Sequence, residues 1–76
     1  MITTREMEEI LYRIGRRIVQ LRTERGISQQ DLAARCNFEK SNMSRIEYGR
    51  TNVTLSTLWT ISRALGVKLR DLVDVE

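Results

Sequence analysis

Apolar residues recur along the first part of the chain at helical spacing. Met7, Ile10, Leu11, Ile14, Ile18 and Leu21 share one stripe when successive residues turn by about 100°. Such a stripe predicts a long amphipathic helix that buries one face. Thr3 or Thr4 can cap its start, Glu6, Glu8 and Glu9 suit its positive first turn, and Gly26 ends it. Tyr12 and Val19 lie off the stripe, seven residues apart. They are either scattered surface apolars or part of a contact between two copies.

The pattern then changes to short elements. Ser28-x-x-Asp31 reads as a capping box that opens a second helix, with Leu32 and Cys36 as its buried ridge. Asn37 interrupts it, and asparagine tolerates a left-handed backbone best after glycine. Phe38 plugs the corner, and Lys40 to Tyr48 is expected to be a third helix with Met43 and Ile46 inward. Gly49 stops it. Thr54 can cap a fourth helix from Leu55 to Leu65 with Leu58, Ile61 and Leu65 as its inner ridge, and Gly66 follows in the position that terminates helices. Val67, Leu69, Leu72 and Val73 form a short closing helix. Trp59 falls at the edge of the fourth helix's ridge, as a partly covered core residue or an interface anchor. No linker, repeat or low-complexity segment divides the chain, so residues 1–76 are expected to be one domain.

Composition narrows the chemistry. With no histidine and Cys36 as the only cysteine, structural zinc sites and Ser-His or Cys-His pairs cannot be assembled within one chain. Cys36 is expected to be a small buried hydrophobe. No nucleophile–base pair, metal cluster or glycine-rich phosphate loop is present, so neither catalysis nor a cofactor is expected. No apolar run approaches the roughly 20 residues needed to cross a bilayer, and there is no secretion signal. A cytoplasmic setting without membrane contact follows as the expectation. The net charge of +3 is unevenly spread: residues 13–50 carry nine bases against four acids, and the remainder four bases against six acids. A basic middle between acidic ends suggests a polyanion partner on one side.

Counted from Gln29, Ala33 is the fifth residue of a twenty-residue unit and Asn37 the ninth. Leu32, Cys36, Phe38, Met43 and Ile46 supply the apolar positions. Two helices crossing steeply need a small side chain at their contact, a left-handed residue between them and inward anchors elsewhere. Residues 29–48 meet that requirement for a helix-turn-helix. The run from Ile14 to Leu72 resembles the phage repressor and Cro-like helix-turn-helix family, also called XRE-type regulators. The carrying segments are GRRIVQLRTERGISQQDLA, SRIEYGR and TLSTLWTISRALGV. The resemblance implies an all-α, five-helix lambda-repressor-like DNA-binding domain, here with an extended first helix. Three positions depart from the family pattern. Asn37 replaces its turn glycine, Glu39 replaces the Ser or Thr that caps the recognition helix, and Val53 replaces a proline. The Glu39 carboxylate is expected to accept from backbone amides in the cap's place, and to orient Lys40 or Arg45 or weaken binding near phosphates.

With Met43 and Ile46 inward, Ser41, Ser44, Arg45 and Tyr48 point outward, flanked at the leading end by Lys40 and Asn42. A recognition helix enters the major groove by that end. By resemblance, the base-reading positions are Lys40, Ser41, Asn42 and Arg45. Lys40 and Arg45 can donate to guanine O6 and N7, and Asn42 can make a two-point contact with adenine. Ser28, Gln29, Ser44, Tyr48, Arg50, Thr51 and Asn52 are candidates for the phosphate backbone. Gln29 is further expected to brace Lys40, as the family's glutamine does. The resemblance also implies a partly buried ion pair between Arg22 and Glu47.

The leading function is sequence-specific binding of double-stranded DNA as a homodimeric transcriptional regulator of the repressor type, on an operator with two half-sites. Tyr12, Val19, Trp59, Leu69 and Val73 are candidate dimer contacts. The alternative is an antitoxin-like module whose main task is to hold a partner protein. No effector-sensing domain is expected alongside these 76 residues, so regulation is expected to come through assembly, a partner or abundance.

Overall fold

In the computed structural model, which describes all 76 residues, α1 spans Thr4–Glu24, α2 Gln29–Cys36, α3 Lys40–Glu47, α4 Leu55–Leu65 and α5 Leu69–Val73. There is no strand. Thr3 caps α1 through a complete capping box: its hydroxyl accepts from the Glu6 amide at 3.1 Å, and the Glu6 carboxylate accepts from the Thr3 amide at 3.0 Å. Those bonds favour the ionised form and hold the Glu6 carboxyl below its usual range. At α2 only half of the expected box forms. Ser28 Oγ accepts from the Asp31 amide at 3.0 Å, and the Asp31 carboxylate makes no return bond. Side-chain length does not account for this, since the Asp71 carboxylate at the same position of α5 accepts from the Lys68 amide at 3.0 Å.

The turn between α2 and α3 depends on Asn37, the only non-glycine residue with positive φ, at 58°. Its amide donates to the Ala34 carbonyl at 3.1 Å and the Phe38 amide to that of Ala33 at 2.8 Å. Those paired bonds satisfy orphan carbonyls and fold the chain back at once. Phe38 packs half-buried against the core, while Ala33 is buried. The expected Glu39 cap does not form. The carboxylate makes no cap bond and the residue is exposed, so α3 begins on its backbone geometry alone. The third helix also ends one residue before the expected limit, with Tyr48 as its C-cap.

Thirteen apolar residues from all five helices and the α1–α2 turn form a single core, in which Ile18, Leu32, Met43, Ile61 and Leu72 are fully buried. The stripe on α1 divides in two. Ile14, Ile18 and Leu21 enter the core, whereas Met7, Ile10 and Leu11 are only half-buried because the first turns overhang the bundle. The molecule is accordingly elongated, with extents of 35 × 23 × 20 Å.

Two glycines of different kinds bring α1 against α3. A Cβ on Gly15 would lie 2.7 Å from the Ile46 carbonyl oxygen and closer still to that of Glu47. At Gly49, where φ is +68°, it would lie 2.6 Å from the backbone of Tyr12. Arginines on the same helix then serve carbonyls that ended helices leave open. Arg16 Nη2 donates to the Glu47 carbonyl at 2.8 Å, and Arg17 Nε to that of Asp71 at 2.8 Å. Gly15→Ala is therefore expected to lower the unfolding free energy by about 3 kcal/mol or more, since backbone must move to admit the methyl. An unchanged urea midpoint would contradict the close approach.

Cys36 is buried, and loss of hydration pushes its thiol pKa up. A raised folded pKa gives stability that is complete below the unfolded value, about 8.5, and is lost as pH rises through the folded value. Unfolding free energy should thus fall with pH above about 8.5, with a shallower slope in Cys36→Ala. Equal slopes for the two proteins in alkaline urea titrations would refute this.

Candidate nucleic-acid interface

The third helix turns Met43, Ile46 and Glu47 inward. Burying a carboxylate is costly unless it is paired and hydrogen-bonded. Glu47 is 1 % exposed, and each of its oxygens has a partner. Arg22 Nε donates to Oε2 at 2.8 Å and Nη2 to Oε1 at 3.0 Å, a fork-to-fork pair, and Gln29 Nε2 donates to Oε1 at 2.9 Å. Arg22 also gives Nη1 to the Ile27 carbonyl at 3.2 Å. The hydrogen bond to Glu47 raises the Arg22 pKa, against the opposing effect of burial. Gln29, expected to brace Lys40, instead spends its amide on this carboxylate. Three helices thereby meet at one side chain.

With that face fixed, Lys40, Ser41, Asn42 and Arg45 are all exposed on the other side of α3, and Ser44 is half-buried between the two. Of the expected backbone-contacting residues, Tyr48, Arg50 and Asn52 are exposed and Thr51 is half-buried in the loop that follows. Ser44, Arg45, Tyr48 and Arg50 line one shallow depression at the end of α3. Ser28 and Gln29 head α2, where backbone amides and the helix dipole favour an anion. The donors thus gather on one side, and the outward surface of α3 itself carries no carboxylate beyond Glu39 before its first turn.

The residues proposed for a contact between copies are spread over three helices. Tyr12 is exposed and Val19 half-buried on α1, Trp59 is 52 % exposed on α4, and on α5 Leu69 packs half-buried against the core while Val73 is exposed. Trp59 is more open than a core-edge position would be, and the Arg63 guanidinium lies 5.7 Å from its ring centre.

Two residues near the interface had no role in the sequence pattern. Gly15 was hidden because nothing local demands a glycine there; its reason is a carbonyl 32 residues away, on Glu47. Arg16 was read only as positive charge, although its spacing of four from Tyr12 was a usable signal.

This arrangement defines a helix-turn-helix DNA-binding domain. The helix-turn-helix family model HTH_3 matches residues 18–72. Control protein C.MunI of Mycoplasma sp is 38 % identical over 72 residues, spanning 92 % of this chain and 97 % of that protein. The immunity repressor protein of Bacillus phage phi105 is 38 % identical over 63 residues, 83 % of this chain and 44 % of that protein. Among solved structures, the restriction-modification controller protein C.AhdI from Aeromonas hydrophila superposes with a TM-score of 0.79 at 34 % identity, covering 82 % of this chain and 94 % of that one. The chain belongs to the HTH_3, XRE-type family of DNA-binding transcriptional regulators. No helix is long and apolar enough to cross a membrane.

Glu47→Gln keeps the shape but leaves the Arg22 guanidinium, 14 % exposed, without its counter-charge. It should lower the unfolding free energy by about 3 kcal/mol. Denaturation curves that coincide with the parent's would show that the pair does not hold the two helices together.

Proposed function

We propose that this protein binds an operator of two half-sites as a homodimer, with the leading end of α3 in the major groove of each half-site, and acts as a repressor. One observation carries the proposal: the inward face of α3 is fully committed to Met43, Ile46 and Glu47, which leaves Lys40, Ser41, Asn42 and Arg45 as a free row of donors. Arg45 and Lys40 supply the donors that match guanine O6 and N7, and Asn42 matches adenine N6 and N7. Ser44, Tyr48, Arg50, Thr51, Asn52 and the head of α2 at Ser28 and Gln29 set the domain on the phosphates.

A single recognition helix reads only a few base pairs, so selectivity requires two heads related by a two-fold axis. Their half-sites then lie about 34 Å apart. Leu55 and Trp59, one turn apart on α4, and Val73 on α5 are large exposed apolar side chains that supply surface for that contact. The relative from phage phi105 is named an immunity repressor, which supports repression over activation. The controller proteins among the relatives support a regulator of the same kind.

Selection of bound sequences from random duplex DNA at two salt concentrations tests the proposal. Arg45→Ala should weaken the selected site by about 1–3 kcal/mol and relax preference at one or two positions. Arg50→Ala should weaken all sequences alike and reduce the salt slope by about one. Unaltered base preference in Arg45→Ala would remove α3 from the major groove, and sedimentation as a monomer on the selected duplex would remove the dimer.

A further inference from the structure

Outside the matched family segment, which begins at residue 18, α1 carries a second structure that reaches toward the DNA-contacting loop. The Arg16 guanidinium lies over two tyrosine rings, 5.5 Å from the centre of Tyr12 and 4.9 Å from that of Tyr48. Arg50 lies over the same Tyr48 ring at 5.8 Å. Arg16 is anchored by its bond to the Glu47 carbonyl, while its buried Nε makes no hydrogen bond. A guanidinium over aromatic ring faces is attracted by the ring quadrupole, which restrains it where it lies. Tyr12 is itself held where the backbone of α1 touches Gly49. Glu8 and Leu11, farther toward the start of α1, line one depression with Gly49, Arg50, Thr51 and Asn52.

We infer that Arg16 is a positioning residue for DNA binding: through the Tyr12–Arg16–Tyr48–Arg50 stack, the early turns of α1 set the phosphate-facing end of α3. The inference rests on the proposed reading of α3 and adds a determinant to it. Tyr48 and Arg50 are both exposed side chains at the end of the recognition helix, and a free arginine or tyrosine must lose rotamer freedom to meet a phosphate. Stacking them beforehand removes part of that cost before the duplex arrives. Arg16 does this without itself reaching the DNA: its polar bond is to the Glu47 carbonyl, and its guanidinium lies over the rings of Tyr12 and Tyr48. Lysine cannot replace it, since a rotating ammonium has neither the plane nor the fork.

The test uses the full chain with Arg16→Lys, which keeps the charge, and Tyr12→Leu, which is neutral and removes one ring. Each is titrated against a mixed-sequence duplex of about three helical turns over a range of salt. Both variants should bind about threefold to tenfold more weakly, with a reduced salt slope, when compared at a temperature where each is fully folded; Arg16→Lys should also melt lower, having lost its bond to the Glu47 carbonyl. Parent-like affinity and slope in either folded variant would overturn the inference. If Arg16→Lys does not fold, Tyr12→Leu decides. Proton chemical shifts of the Arg16 side chain in the free parent protein give a reading independent of DNA: ring currents should move them upfield, and ordinary values would refute the stack even if DNA binds as proposed. Upfield shifts in a parent that binds no duplex would instead refute the DNA reading, and with it the positioning role.

Discussion

A buried carboxylate decides which way the third helix faces. Glu47 lies on the inward side of α3 with Met43 and Ile46, and its charge is tolerable there only because Arg22 of α1 and Gln29 of α2 both donate to it. An apolar residue in that place would bury area without direction. The two-point pair fixes rotation, because the fork of Arg22 meets both oxygens only in one orientation of the helix. Everything on the opposite side of α3 follows from that choice.

The long first helix acts as the spine to which the other ends are tied. Gly15 lets α3 come close enough for Arg16 to reach the Glu47 carbonyl, while Arg17 holds the Asp71 carbonyl of α5. Positive side chains thus meet the negative ends of two helices, an arrangement the helix dipole favours. In a 76-residue chain with no disulfide, such directional ties supplement a core of 13 buried apolar residues. The same construction leaves the early turns of α1 outside the core, beside the surface proposed to face DNA.

Most of the fold was legible because local rules and the core agree. The apolar stripe of α1, the left-handed Asn37 and the caps at Thr3, Ser28 and Thr54 each act over a few residues, and the five helices fall close to where these signals put them. The failures came where a side chain had more than one possible partner. Gln29 was expected at Lys40 and instead bonds Glu47, the stronger acceptor. Glu39 was expected to cap α3 and leaves its amides alone, and Asp31 leaves its box half-formed. Gly15 and the stacking of Arg16 depend on a helix crossing more than thirty residues away, for which no local pattern exists. Family resemblance supplied the choice of base-reading positions; periodicity supplied only which side of α3 is outward.

Anchoring Glu47 inward is proposed to leave the front of α3 as the surface that meets DNA. Amide chemical shifts, followed while a selected operator duplex is added to the labelled protein, test it most directly. The large changes should fall at the start of α2, along Lys40 to Arg45 and in the loop from Arg50 to Asn52, with Ile18, Ile61 and the rest of the core unmoved. Changes concentrated on α4 and α5, with Lys40 to Arg45 silent, would contradict it.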